Sequence, residues 1–78
     1  MSSIEAIKAK IQNLYETNPQ ININVTLSRP KINLKNEPVT IKGVYPHIFR
    51  IEENSSGRPI IHTLQYSDIL IGYIEILD

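Results

Sequence analysis

The feature that most constrains the fold of this chain is a change in hydrophobic period at Asn18-Pro19. Before it, apolar residues recur every three or four positions, which is typical of one helix face. These residues are Ile4, Ile7, Ile11, Leu14 and Tyr15. Proline disfavours the α conformation of the residue before it, so the helix must end there. The sequence predicts an amphipathic helix over residues 3–16, with Ser2 and Glu5 as its capping box.

After Pro19, apolar and polar residues alternate, which predicts strands with one buried face. Strands are predicted at 21–27, 39–42, 48–52, 60–63 and 70–77, with a short or irregular strand at Ile32 and Leu34. Turns are predicted at 36–38 and 54–57. Tyr66-Ser67-Asp68 is predicted to form a single helical or 3₁₀ turn, capped by Ser67 or Asp68.

Several short strands with one helical turn before the last are typical of small SH3-like and Sm-like barrels. The sequence therefore predicts a mainly β single domain over residues 1–78. It consists of one N-terminal α-helix and an SH3-like or Sm-like small barrel over about 21–77.

Composition narrows the protein class. The chain has no cysteine, so neither a disulfide nor a cysteine zinc site can hold its 78 residues together. Its 41% hydrophobic and 21% charged residues make it too apolar for a disordered tail. The N-terminus lacks a basic region followed by an apolar run, and no stretch approaches the roughly 20 apolar residues of a membrane span. We expect a soluble cytoplasmic protein without a membrane partner.

The sequence contains no motif of a catalytic or metal site. His47 and His62 are the only histidines, whereas a metal site needs three or four converging ligands. A catalytic base needs a nucleophile and an orienting partner. We therefore predict a binding protein that is not an enzyme, with no catalytic, metal-binding or cofactor-binding residues and no cofactor.

Two segments carry a resemblance to a known family. Residues 45–51, Tyr-Pro-His-Ile-Phe-Arg-Ile, fit the pattern Tyr-Pro-x-Val/Ile-Phe-x-Val/Ile. Residues 66–70, Tyr-Ser-Asp-Ile-Leu, followed by Ile-Glu-Ile at 74–76, fit Tyr-x-Asp-Val/Ile-Leu followed by Val-Glu-Leu/Ile. In this order and at this separation, they resemble the Veg family of small bacterial proteins. The resemblance covers residues 39–77 well and the helix loosely.

The resemblance implies a short helix before an SH3-like barrel. It also implies a regulatory role in bacteria, associated with biofilm formation through effects on a transcriptional repressor. Veg proteins usually carry a basic segment with paired glycines between the first two strands. Residues 28–36 of this chain are Ser-Arg-Pro-Lys-Ile-Asn-Leu-Lys-Asn and lack these glycines, so the chain resembles a divergent member.

The basic segment is the best candidate binding site. The net charge is zero, but residues 29–42 carry a surplus of three positive charges. The candidate partner-binding residues are Arg29, Lys31, Lys35, Lys42 and Tyr45. One hypothesis is a Veg-like regulator that acts through a protein partner, for example a transcriptional regulator. The alternative is a small β-barrel that binds nucleic acid through residues 29–42. Formation of a homodimer stays open under both hypotheses.

Overall fold

A computed structural model describes residues 3–29, 31–54 and 57–77. Within them the elements in chain order are α1 (Ile4–Thr17), β1 (Gln20–Ser28), β2 (Lys31–Val44), β3 (Ile48–Glu53), β4 (Ile60–Gln65), α2 (Tyr66–Leu70) and β5 (Ile74–Leu77). The strands form one antiparallel sheet in the order β4-β3-β2-β1-β5, which leaves β4 and β5 at its edges. The predicted mainly β class with an N-terminal helix is confirmed.

Strand β2 runs without a break for 14 residues, so the predicted turn at Asn36-Glu37-Pro38 is wrong. A β-bulge takes its place. Asn36 has a left-handed φ of 48°, and the pairing with β1 shifts register between Ile23 and Val25. The side-chain Oδ1 of Asn24 accepts the Asn36 N–H at 2.7 Å. This bond satisfies a backbone donor that a bulge otherwise leaves unpaired.

Pro38 is tolerated in β2 because its position needs no N–H. Thr26 donates its N–H to the Tyr73 carbonyl at 2.8 Å, so the even-numbered residues of β1 bond towards β5 and not towards β2. Pro38 pairs with one of these residues, Asn22. On its other side, β3 pairs with β2 only from Val39 onward. No ladder hydrogen bond is therefore lost to the proline.

The end of α2 shortens the last strand. Gly72 has a left-handed φ of 92° and donates its N–H to the Ile69 carbonyl at 3.2 Å, while Tyr73 donates to the Asp68 carbonyl at 2.9 Å. This pair of bonds around a glycine terminates the helix. Strand β5 consequently begins four residues later than predicted.

The helix caps also differ from the prediction. The N-cap of α1 is Ser3, whose Oγ accepts the Ala6 N–H at 3.2 Å; Ser2 lies outside the described residues. The N-cap of α2 is Gln65, which makes no capping bond with its side chain, so the cap predicted at residue 67 or 68 is wrong. The turn predicted at 54–57 lies partly outside the described residues.

One face of the sheet forms the core together with α1 and α2. The buried apolar residues are Ile11, Ile21, Ile23, Val25, Ile32, Leu34, Val39, Ile41, Phe49, Ile51, Leu64, Tyr66 and Ile74. The rings of Phe49 and Tyr66 stack with centroids 5.5 Å apart and planes at 11°. The Tyr66 hydroxyl donates a 2.6 Å hydrogen bond to the Tyr45 carbonyl. Tyr66 thereby links the core to the β2–β3 turn.

We expect Ile11→Ala to destabilise the protein by about 3 kcal/mol, because it removes a side chain that is only 1% exposed and leaves a cavity. Ile71→Ala is the matched control, since Ile71 is 61% exposed. Denaturant unfolding measures both. If Ile11→Ala and the wild type had the same free energy of unfolding, α1 would not be packed on the sheet.

Tyr66 makes the stability of the fold depend on pH in the alkaline range. Burial raises the pKa of its phenol above the ordinary value of 10.0. The fold therefore favours the neutral phenol. Its contribution to stability is fully present below pH 10.0 and is lost as pH rises through the raised pKa.

We expect Tyr66→Phe to lower the free energy of unfolding by about 1 kcal/mol at neutral pH, because the hydrogen bond is lost. The same variant should lose less stability between about pH 7 and about pH 11 than the wild type, since the titrating phenol is gone. Tyr73→Phe is the control, because this tyrosine is 54% exposed. An unchanged alkaline loss in Tyr66→Phe would exclude Tyr66 as its source.

Candidate functional site

The predicted basic residues lie along the sheet and do not form one cluster. Arg29 lies in the β1–β2 connection, and Lys31 and Lys35 are exposed on the first half of β2. Lys42 lies at a second register shift in β2. Its Nζ is 3.9 Å from the Glu52 carboxylate. The structure therefore places Lys42 apart from the three cations around the β1–β2 hairpin.

Tyr45 is held by local packing in the β2–β3 turn. Its ring lies against Gly43, where an added Cβ would come within 2.7 Å of the Tyr45 hydroxyl. The Arg50 guanidinium is 5.6 Å from the ring centroid, within range of a cation–π interaction. The Tyr45 N–H donates to the Ile48 carbonyl at 2.9 Å. Although 43% of Tyr45 is exposed, these contacts account for its position without a partner.

An apolar cleft of about 420 Å³ lies between α1 and β5. Its lining residues are Ile7, Lys10, Ile11, Ile69, Gly72, Ile74, Glu75 and Ile76. Five of these are isoleucines, and Lys10 and Glu75 supply one charge of each sign. The cleft is suited to apolar side chains that are accompanied by few charges.

The free edge of β5 borders this cleft. The Thr26–Tyr73 hydrogen bond continues the β1–β5 register, and hydrogen-bonded pairs alternate along an antiparallel ladder. Glu75 therefore bonds towards β1, whereas Ile74 and Ile76 direct their N–H and C=O groups away from it. An incoming extended chain would find backbone partners beside apolar side chains.

The last residue of α2 and the loop that joins α2 to β5 carry the largest exposed apolar side chains of this region. Leu70, Ile71 and Tyr73 are 46%, 61% and 54% exposed. A polar depression of about 480 Å³ includes Tyr73, Asp68 and Arg29 in its lining, together with Gln65 of β4. Arg29 is thus the one predicted site residue among the described residues that lies beside this loop.

An asparagine network that the sequence did not reveal lies on the outer face of β1. Asn22 Nδ2 donates to Asn36 Oδ1 at 2.8 Å, and Asn24 Nδ2 donates to the Glu75 carboxylate at 3.1 Å. Together with the bond from the Asn36 N–H to Asn24, the network connects β5, β1 and the bulge of β2. Its signal in the sequence is the alternation of asparagines in β1, but the same alternation is typical of any strand with one exposed face.

The two histidines occupy different surroundings. His62 Nε2 lies 2.8 Å from Glu53 Oε1, and their side chains are 17% and 13% exposed. His47 lies in the β2–β3 turn, where its carbonyl accepts the Tyr66 N–H at 3.5 Å. In the described ranges, no three His, Cys, Asp or Glu residues group so as to hold a metal ion. Neither described helix has the length and apolarity to cross a membrane.

The residues that carry the Veg resemblance meet in one part of the structure. Tyr45, Phe49 and Tyr66 are joined by the ring stacking and the hydrogen bond described above, and Asp68 and Ile69 end α2. No protein-family model, curated protein or solved structure matches the chain. The Veg assignment stays a prediction based on these two segments.

We expect Asn24→Ala to destabilise the protein by about 1–2 kcal/mol, because it leaves the Asn36 N–H without its acceptor and removes the link to Glu75. Asn33→Ala is the control, since Asn33 is an exposed residue of β2 outside this network. Equilibrium unfolding compares the two. Equal effects of the two substitutions would show that the asparagine network does not stabilise the bulge.

Proposed function

We propose that this chain is a small, non-enzymatic regulatory protein of the Veg type, which acts in the bacterial cytoplasm by binding a protein partner. The partner contributes an extended apolar segment, and a transcriptional regulator with a role in biofilm formation fits the family resemblance. The observation that carries the proposal is the apolar cleft between α1 and β5, with the free strand edge and the exposed loop 70–73 beside it.

The chemistry of this surface favours an extended protein segment. Such a segment adds to a free strand edge through main-chain hydrogen bonds, and neighbouring pockets select its side chains. Here Ile74 and Ile76 supply the backbone groups, and the isoleucine-lined cleft receives apolar side chains. Lys10 and Glu75 give the cleft one charge of each sign, so a segment with opposite charges at the matching positions is favoured. Exposed apolar side chains next to a cleft are typical of interaction surfaces.

An SH3-like barrel is the finer form of the proposed fold. Two register shifts in β2, near Asn36 and Lys42, increase its bend and twist. A bent β2 pairs with β1 from Lys31 to Thr40 and with β3 from Val39 to Val44. The strand order and the short helix before β5 agree with this architecture.

Nucleic-acid binding is the second candidate function. It is favoured by Arg29, Lys31 and Lys35, which are exposed around one hairpin and form no ion pair with the described residues. Phosphate groups would bind such cations, and the affinity would fall steeply with salt. The arrangement of Tyr45 weakens this candidate, because Gly43 and Arg50 already contact the ring that would stack on a base.

Affinity capture of the tagged protein from its native lysate, with and without nuclease, tests the proposal. We expect one protein that resists nuclease and high salt. Tyr73→Asp should reduce its recovery by at least about tenfold, because the substitution places a charge within the apolar surface. Tyr15→Asp is the control, since Tyr15 is 40% exposed and lies on α1 outside the loop and the cleft lining.

Recovery of RNA or DNA would contradict the proposal. If the double variant Lys31→Glu/Lys35→Glu abolished that recovery while Tyr73→Asp did not, the nucleic-acid function would replace it. Equal recovery of the protein partner by Tyr73→Asp and Tyr15→Asp would locate the binding surface elsewhere.

A further inference from the structure

Strand β4 forms the second free edge of the sheet, and its backbone groups have a defined direction. Tyr66 donates its N–H to the His47 carbonyl at 3.5 Å, which continues the β3–β4 register by one pair. Hydrogen-bonded pairs alternate along the ladder, so the even-numbered residues of β4 bond to β3. Ile61, Thr63 and Gln65 therefore direct their N–H and C=O groups to the outside.

This edge lacks the features that usually prevent strands from pairing. Natural edge strands carry lysine, proline, bulges or inward charges. From Ile60 to Gln65 there is no lysine, arginine, acidic residue or proline, and the β3–β4 pairing has no register shift. The only titratable side chain is His62, which is paired with Glu53. Ile61 lies in the middle of this edge and is 50% exposed.

We propose that β4 pairs with β4 of a second copy of this chain, antiparallel and around a two-fold axis at Thr63. Thr63 then faces Thr63 of the second copy, and Ile61 faces Gln65. All three outward-directed residues use both their N–H and C=O groups, which gives about six hydrogen bonds between the copies. The two sheets join into one, and the cleft between α1 and β5 stays free.

The position of Pro59 selects this register. Moving the axis to His62 would place Pro59 opposite Gln65, where the proline has no N–H to donate. Moving it to Ile61 would place Pro59 opposite Thr63 and leave Gln65 unpaired. Only the axis at Thr63 pairs every outward-directed group of β4 without using the proline.

The second copy suits this edge because it brings no charge repulsion. The net charge of the chain is zero, and β4 itself carries no fixed charge. A two-fold interface uses the same surface on both copies, so an uncharged edge with symmetrically placed donors and acceptors is complementary to itself. The exposed Ile61 of each copy gains a neighbouring strand on which to pack.

Analytical ultracentrifugation over a range of concentrations tests the oligomeric state. We expect a species of twice the 8.9 kDa chain mass. Thr63→Lys should raise its dissociation constant by at least about tenfold, because two introduced ammonium groups then face each other across the axis. Asn13→Lys is the control on an exposed position of α1. A monomer at every concentration, or an assembly larger than a dimer, would overturn the proposal.

Cysteine crosslinking tests the register of the β4–β4 pairing. Because the chain has no native cysteine, any disulfide joins the introduced cysteines. Facing residues in a hydrogen-bonded antiparallel pair have Cα atoms about 5.5 Å apart, within disulfide range. Under mild oxidation we expect Thr63→Cys to form a crosslinked dimer. Ile61→Cys should crosslink with Gln65→Cys when the two variants are mixed, and much less with itself.

Ile71→Cys serves as the control on another exposed position. Crosslinking of Ile71→Cys to the same extent, or preferential self-crosslinking of Ile61→Cys, would overturn the register. If Thr63→Cys instead trapped a different protein in lysate and stayed monomeric when pure, β4 would be a binding site for that protein.

Discussion

The β-bulge at Asn36 is the constraint on which the arrangement of the sheet depends. It lets β2 remain one strand of 14 residues where the sequence pattern would divide it in two. Because β2 continues, its first ten residues pair with β1 and its last six with β3. The order β3-β2-β1 follows, and the pairing of β4 with β3 and of β5 with β1 leaves β4 and β5 at the two edges. Asn24 maintains the bulge by accepting the Asn36 N–H.

Hydrophobic periodicity predicted the parts of the fold that depend on local pattern. The helix lies within one residue of the prediction at each end, and β1 and β3 extend the predicted segments by one or two residues. The failures occurred where backbone geometry decides. An Asn-Glu-Pro sequence is typical of a turn, but Asn24 offers Asn36 a bulge instead. Whether such an acceptor lies across the ladder depends on the pairing register, which the local pattern does not contain.

The candidate site was less predictable, because it depends on how distant elements meet. The charges of residues 29–42 were visible in the sequence, whereas their distribution along β2 was not. The apolar cleft combines residues of α1 with residues of α2 and β5, more than 50 positions later in the chain. In the sequence, the isoleucines of each element follow the pattern of ordinary core residues. Ile7 and Ile76, for example, are only partly buried and line the cleft.

The two free edges differ in the side chains and charges beside them, and this difference is the basis of the two proposed interactions. At β5, the outward-directed residues Ile74 and Ile76 stand next to an apolar cleft and two opposite charges, so a bound segment is selected by its side chains. At β4, the outward-directed residues are Ile61, Thr63 and Gln65, all exposed on the outer face, and no fixed charge lies within the strand. At this edge a partner is recognised through its backbone hydrogen bonds. A second copy of β4 matches these donors and acceptors, because a two-fold axis gives both strands the same arrangement. A dimer joined through β4 uses the backbone groups of Ile61, Thr63 and Gln65 and leaves those of Ile74 and Ile76 at the β5 edge unused. The proposed dimer would present two equivalent clefts, and it would favour a partner that is itself two-fold symmetric, since binding both clefts at once raises the overall affinity.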